Sequence, residues 1–557
     1  MTEEHKTDQY AGVPTGPFGE DGHPKRWAIL GVLVVSLLIV VLDNTVLNIA
    51  LPTIQRDLGA TQSQLLWAVD SYQLVFAALL FTWGVLVDTY GRKKILVIGL
   101  VIFMLASAGC AFSGSPTQLI SLRAVMGIGG AAVTPVTLAI ITVVFPARER
   151  GKAIGAWAAA VGAAVALGPI LGGLLLENPS WTNGLTGNDW GSVFLINVPI
   201  VVIGIIGIVR IVPETKNPNP QRLDIPGLLI SIAGLVALVY GIIHAGAIHK
   251  FADSTVIGWV LVGLGLLAFF FYLEKRSDHK SFDVTLFSNR PYAISLTAVS
   301  LAFFALSGIT FTLPFYLQIV RDYSTLMAGL AFVPFALGQI ISAPRSAKMV
   351  ARFGNRNVMT LGLLLVGLAL IGMSQLQIDT PIWLALLIFF CFGAGMGNVI
   401  APASTVMQNA LPMSRAGSGS AVQNTVRQVF GALGVATLGT ILATSYASKV
   451  QPAIDSLPTQ IPDTAKEALR TNVASVGQIS AKIIENATTN GISVEQAQSV
   501  ASELKTNAFQ AFISASHHVA VISAVIVFIV AGIVAKQLPR DMGKSEVKEK
   551  EVPTTTE

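Results

Sequence analysis

The chain has 557 residues, 53% of them hydrophobic and only 12% charged, about half the charged share of an ordinary soluble domain, so a water-soluble globule is excluded. The formal charge of +5 comes in short basic clusters between apolar blocks rather than as one continuous face, and nucleic acid is therefore not expected as a partner. The two cysteines, Cys110 and Cys391, lie inside apolar blocks and imply neither a disulfide framework nor a metal site, and no cofactor is expected.

In chain order, a polar tail over 1–26 precedes apolar blocks at roughly 27–50, 65–87, 95–113, 118–145, 153–176, 191–212, 226–246, 255–273, 292–318, 326–350, 357–375, 381–410, 420–446 and 512–535. Each is long enough to cross a hydrocarbon layer about 30 Å thick, which predicts an all-α polytopic membrane protein of about fourteen spans. The first block is too long for a signal-peptide core and reads as an uncleaved span behind Pro24-Lys25-Arg26. Basic residues crowd the side shared by the N-terminus and the loops holding Arg92-Lys93-Lys94, Arg148-Arg150-Lys152 and Lys275-Arg276-Lys280, whereas the opposite short loops hold Arg56, Lys250 and Arg321. Both termini are thus expected in the cytoplasm, with the protein in the plasma or inner membrane. The polar stretch of about 447–511 is then external, with helix starts at Asp463 and Ser493 that predict a helical hairpin leading into span 14. The mixed-charge tail over 541–557 reads as disordered.

An internal repeat runs through this pattern. Leu51-Pro52 and Gly91 recur as Leu313-Pro314 and Gly354, and Pro135, Phe145-Pro146, Gly151 and Gly168 recur as Pro402, Leu411-Pro412, Gly417 and Gly434, at offsets of about 262 to 267. Residues 27–212 and 291–540 therefore read as two six-helix halves, and 213–290 as two inserted helices with linkers. Paired halves about a central site suit a machine that moves a solute by rocking one half against the other.

Between spans 2 and 3 the chain reads Gly84-Val-Leu-Val-Asp88-Thr-Tyr-Gly91-Arg92-Lys93-Lys94, and here it resembles the major facilitator superfamily. The resemblance implies a conformational gate at Gly84, Asp88, Gly91, Arg92 and Lys93. Gly84 would let helices approach, Gly91 would permit a tight reversal, and Asp88 could pair with an Arg in one state only. The second copy keeps Gly354 and Arg356 but has Ala351 in place of the acid. In span 5, Ala164-Val-Ala-Leu-Gly168-Pro169-Ile-Leu-Gly172-Gly173 resembles the antiporter motif of exporting members, and in span 4 Leu119-Ile-Ser-Leu-Arg123-Ala-Val-Met-Gly127-Ile-Gly129 resembles the motif whose Arg is associated with proton transfer. Together with Phe194-Leu-Ile-Asn197-Val-Pro199 in span 6, these narrow the resemblance to fourteen-span drug:proton antiporters.

Ionisable groups deep in a span cost about 3 kcal/mol or more and normally mark an ion or substrate path. Asp43, Asp70, Arg123 and Arg427 qualify as proton-coupling residues, and a structural ion pair such as Asp43 with Arg123 is the competing reading. Trp67, Tyr72 and Phe76 recur at helical spacing near Asp70, either to stack on a flat or cationic substrate or as a lipid-facing stripe. The expected partners are lipophilic or cationic small molecules, protons and the bilayer, with a monomer as the working unit. Enzymatic readings find no support: Gly543-Lys544-Ser545 imitates a phosphate loop, but Leu538 stands where its first Gly should be. Proton-coupled export of hydrophobic, cationic compounds is the leading expectation. Export of one metabolite or lipid, and a non-transporting membrane sensor, are the alternatives.

Overall fold

The computed structural model describes residues 18, 21–216, 224–276, 284–411, 416–458, 461–486 and 493–539, apart from a few side chains within them, among them that of Asp88. The expected tails fall almost wholly outside the described residues.

The stretch expected as the first half holds α1 (Arg26–Leu58), α2 (Gln62–Tyr90), α3 (Arg92–Ala111), α4 (Pro116–Val144) and α5 (Ala147–Glu177), followed by the short α6 (Asn183–Thr186) and α7 (Ser192–Leu195) leading into α8 (Asn197–Ile211). The inserted pair is α9 (Ile225–Ile248) and α10 (Ser254–Arg276). The stretch expected as the second half holds α11 (Arg290–Phe315), α12 (Thr325–Leu330), α13 (Val333–Met373), α14 (Ile382–Asn409) and α15 (Ala416–Asp455), then α16 (Asp463–Thr471), α17 (Ser475–Glu485) and α18 (Val494–Gln537). Their starts have local causes. Thr61 closes a capping box with Gln64 at α2, and Ser493 does the same with Gln496 at α18. Asp224 accepts the Gly227 N–H at the start of α9.

Eleven helices among the described residues are long and apolar enough to cross a membrane. One of these stretches, Thr325–Met373, is 49 residues long, about twice what a crossing needs. It breaks at Gly354, whose φ of 79° and ψ of 157° are not helical. Gly91, its counterpart in the repeat, has φ 109° and ψ 140° between α2 and α3. Both positions demand the positive φ that glycine adopts at little cost, which is the physical content of their recurrence. The recurring prolines also match, with Pro52 inside α1 and Pro314 inside α11.

Within each half the fifth helix lies on the first. A Cβ on Gly168 of α5 would strike the Thr45 side chain of α1, and one on Gly434 of α15 would stand 2.2 Å from the Phe304 carbonyl oxygen of α11. Small residues are what allow these backbones to close. Between the halves, contact concentrates on the face opposite the start of α1, here the far face. Gln318 Nε2 donates to the Ile49 carbonyl at 2.8 Å. Thr325 Oγ1 donates to the Gly173 carbonyl at 3.1 Å. A Cβ on Gly439 of α15 would stand 2.2 Å from Leu66 of α2. On the near face α4 and α14 each pack within their own half.

The segment before the last span departs from expectation in one respect. Helices begin at Asp463 and after Ser493 as predicted, but α18 continues for 44 residues from the polar segment through the apolar block. No Gly or Pro interrupts 494–531, so nothing stops the helix where its surroundings change.

Candidate functional site

A buried polar chain crosses the first half. Asp43 of α1 is 2% exposed, and its Oδ2 accepts a hydrogen bond from Arg123 Nη1 of α4 within an ion pair. Its other oxygen accepts from Asn197 Nδ2 of α8 at 3.1 Å. The Asn197 amide also donates to Ser107 Oγ of α3 at 3.0 Å, and that hydroxyl donates to the Phe194 carbonyl at 2.9 Å. Arg123 is fully buried; its Nε donates to the Ala68 carbonyl of α2 at 3.2 Å, and its guanidinium lies 4.3 Å from the Tyr72 ring centroid. One ion pair thus ties together α1, α2, α3, α4 and α8. The ion pair raised as the competing reading of Asp43 is formed in this conformation. The roles of Asn197 and Ser107 were not legible, although Asn197 stood within a quoted motif.

Asp70 is different. It is fully buried, and among the described residues neither carboxylate oxygen has a hydrogen-bond partner. Leu66, Asp70, Gln73 and Ala77 fall on one stripe of α2 by their spacing of four, three and four residues. Leu66 abuts Gly439 and Gln73 approaches Gly431, so this stripe faces α15 across the seam between the halves. The opposite stripe packs on α4, where Ser71 Oγ donates to the Ile120 carbonyl at 3.1 Å. Asp43 therefore sits inside one half and Asp70 at the joint between the two.

Arg427 makes no ion pair with either acid among the described residues. Its guanidinium stands 4.9 Å from the Phe303 ring centroid, and its Nε is buried without a partner. The aromatic trio divides as well. Tyr72 and Phe76 are buried, 0% and 5% exposed, and stack on each other, with Arg123 over the Tyr72 ring, so they do not form a lipid-facing stripe in this conformation. Trp67 turns toward Tyr240 of the inserted pair, with ring centroids 6.4 Å apart.

The motif of span 5 lines both seams of α5. Gly168 and Gly172 lie against α1, where their Cβ atoms would meet Thr45 and Val46. On the far-face side, a Cβ on Gly173 would stand 2.5 Å from the Thr325 carbonyl oxygen, and one on Gly329 would stand 2.1 Å from the Pro169 carbonyl oxygen. Glu177 completes this joint by accepting from Leu326 N–H at 3.3 Å.

At the near face, the loop after α2 is tied to the end of α8 and the segment that follows it. The Lys93 and Lys94 N–H groups both donate to the Glu214 carboxylate at 3.1 Å, Arg92 N–H donates to the Thr215 carbonyl at 3.0 Å, and Lys93 Nζ donates to the Val209 carbonyl at 2.7 Å. Glu214 thus caps the positive N-terminal end of α3, a role that sequence reasoning missed. Around Gly84 a Cβ would meet nothing within 4 Å among the described residues, so no close approach is seen there in this conformation. The Asp88 side chain lies outside the described residues.

A cavity of about 350 Å³ opens in the near-face half, between α2, α15 and the inserted pair. Its walls are mostly apolar, contributed by residues such as Ala78, Leu238, Leu267 and Val429. Outside the spans, His249 occupies a left-handed turn (φ 53°) after α9, with both ring nitrogens buried and unpartnered. Burial, together with Arg470 of α16, holds its imidazole below the usual histidine range. Among the described residues no group of three His, Cys, Asp or Glu is placed to hold a metal ion.

The Major Facilitator Superfamily model matches residues 33–435. The chain is 32% identical over 423 residues to Multidrug resistance protein Stp of Mycobacterium tuberculosis (strain CDC 1551 / Oshkosh), covering 75% of this chain and 76% of that protein. It is 32% identical over 513 residues to Multidrug efflux pump LfrA of Mycolicibacterium smegmatis, covering 92% of this chain and 96% of that one. Among solved structures, a bacterial homolog of the human lysosomal transporter Spinster in an inward-facing, occupied conformation superposes with a TM-score of 0.62 at 17% identity, covering 91% of this chain and 97% of that one, a likeness of fold. This all-helical, multi-pass membrane protein belongs to the Major Facilitator Superfamily.

Proposed function

We propose that the protein is a proton-coupled antiporter that exports lipophilic, cationic compounds across the cell membrane and is not an enzyme. The names of its relatives, a multidrug resistance protein and a multidrug efflux pump, support export of more than one small molecule. In this reading the near face is cytoplasmic, both termini lie there, and fourteen crossings arise when Thr325–Met373 is divided at Gly354 and α2 and α5 are counted as spans. The two halves are 27–212 and 291–540, and 213–290 is the insertion. The state described is then closed to the outside.

The observation that carries the coupling is the unpartnered Asp70 at the joint between the halves. A bare carboxylate in such a place is expensive, so a proton or a cationic group has to accompany it. A site that takes either one but not both exchanges them, which is antiport. Asp43 is engaged by Arg123, so this pair is the second coupling element, to be broken and re-formed as access changes. Asp88 with Gly91, Arg92 and Lys93 acts as the near-face latch, and Gly168, Pro169, Gly172 and Gly173 let the far face close.

The test is a panel of unrelated toxic compounds in an efflux-deficient host. Wild type should protect against several lipophilic cations, while Asp43→Asn and Asp70→Asn, expressed at equal levels, should lose gradient-driven protection. Undiminished protection by both variants would overturn the coupling scheme, and protection against a single compound would replace the broad exporter with a dedicated one.

A further inference from the structure

The inserted pair α9 and α10 has no counterpart in the repeat, and the fold as described gives it no task. It forms a hairpin whose α9 packs on α2 of one half and α15 of the other, so it straddles the joint on which the halves move. The 350 Å³ cavity lies under this bridge and falls within the range of small-molecule sites, about 300–1,000 Å³. Its polar groups are few and placed: Thr82 of α2, Ser231 of α9, and Thr425 of α15, whose buried hydroxyl has no hydrogen-bond partner. The charged group in its lining is Asp224, at the near-face rim where α9 begins. One Asp224 oxygen accepts the Gly227 N–H at 3.0 Å. On the outer side, Leu264 and Phe271 of α10 are 50% and 41% exposed, so this wall borders the lipid.

The geometry points to a loading site for amphiphilic cations in the cytoplasmic leaflet, with the apolar body of the ligand held under the α9–α10 hairpin and its cationic head beside Asp224. The site deepens the proposed export function and rests on it. Charge selects the occupant: among the described residues the lining has a carboxylate and no Lys or Arg, which favours a cation and disfavours the phosphate of a phospholipid at the rim. The position also gives the ligand somewhere to go. Ala77 lines the cavity and lies on the α2 stripe that carries Asp70, seven residues or about 10 Å further along the helix. A ligand that enters from the membrane is thereby delivered to the joint at which its charge displaces the proton. The hairpin is in this sense the wall of an antechamber, which explains why a twelve-helix machine carries two more.

Full-length protein in phosphatidylcholine nanodiscs tests this with three photoreactive probes: a diazirine-bearing dodecyltrimethylammonium, the matching dodecanol, and a phosphatidylcholine with the diazirine on its acyl chain. The ammonium probe should label peptides containing Leu235–Leu238 or Val426–Leu433 in wild type, and unlabelled dodecyltrimethylammonium should compete. Asp224→Asn retains a good N-cap, so α9 should persist. This variant should lower ammonium labelling about fivefold, the worth of one partly exposed ion pair, and leave dodecanol labelling unchanged. Ala78→Trp, which fills the cavity, should lower labelling by both. Equal ammonium labelling by wild type and Asp224→Asn would overturn the site, as would phosphatidylcholine labelling of the same peptides that the ammonium does not displace. Export from proteoliposomes separates the two claims. Wild type that exports while both variants export equally well refutes the loading site. Wild type that exports no cation but shows the expected labelling refutes the export function and leaves the binding site standing.

Discussion

The two halves share a scaffold but not a charge distribution. Gly91 and Gly354 turn the chain with the same kind of positive φ, Pro52 and Pro314 sit inside the first helix of each half, and Gly168 and Gly434 seat the fifth helix on the first. At the offsets that align these residues, Ala305 stands opposite Asp43, Phe390 opposite Arg123 and Ala351 opposite Asp88. The first half carries the buried ion pair and the unpartnered acid, whereas the second contributes Arg427 over an aromatic ring. The repeated positions thus carry backbone geometry, and the ionisable chemistry lies in the first half. The second half acts on that chemistry mainly by covering it, as α15 covers Asp70.

The sharpest way to break this comparison is to strip the first half of its pair. Arg123→Leu leaves Asp43 buried and uncompensated, a loss of about 3–5 kcal/mol, and the thermal midpoint of the purified protein should collapse. Adding Asp43→Asn should restore much of it, while a change at Ala305 to Val should cost far less. Equal harm from Arg123→Leu and Ala305→Val would erase the asymmetry. Next in size is the contrast between faces. Gly173→Leu drives a side chain into the Thr325 backbone and should reduce turnover at least tenfold by holding the far face open, whereas Gly84→Ala enters open space and should leave folding within about 0.5 kcal/mol of wild type. Solvent accessibility of a cysteine placed at the far-face seam would read the first effect directly; transport by Gly173→Leu at the wild-type rate would show that this joint does not gate.

A smaller effect tests the scaffold they share. Gly91→Ala and Gly354→Ala each force an L side chain into a positive-φ turn and should each cost about 1–2 kcal/mol, measured by thermal unfolding. Indifference at one site would show that the repeat is unequal there. Smallest is the pH response of the segment around α16. The imidazole of His249 titrates lower in the folded protein than in the unfolded chain, so its contribution is present above the unfolded value of about 6.5 and declines as pH falls through it. Protection of the α16 amides, expressed relative to their intrinsic exchange rate at each pH, should therefore fall between pH 7.5 and 5, and His249→Asn, which tolerates the left-handed turn, should flatten the response. A wild type whose protection in α16 does not change with pH would sever His249 from that helix.

What could be read from sequence was what the backbone itself demands. Gly91 and Gly354 answer to φ, Pro52 and Pro314 to a missing donor, and Ser493 with Gln496 to unsatisfied N–H groups. Each leaves a mark at one position, so spacing alone exposed the repeat and the helix starts. The pairing of Asp43 with Arg123 depends on how α1 and α4 are rotated about their axes, and it could be raised only as an alternative. Tyr72 and Phe76 looked available because spacing shows a stripe but not what lies against it; α4 supplies Arg123 there. The cavity was invisible because its walls come from four helices whose meeting depends on where the inserted pair docks. Glu214 was missed because its partners are backbone N–H groups, which no side-chain pattern announces.

The central claim is that Asp70 holds a proton that a cationic substrate displaces. Proton release from the purified protein in weakly buffered detergent solution, on addition of a monovalent lipophilic cation, tests it most directly. Wild type should release protons in a saturable way that tracks binding, a neutral drug should elicit little release, and Asp70→Asn should bind the neutral drug normally while releasing almost nothing with the cation. Undiminished cation-driven release from Asp70→Asn would contradict the claim and return Asp70 to a structural role.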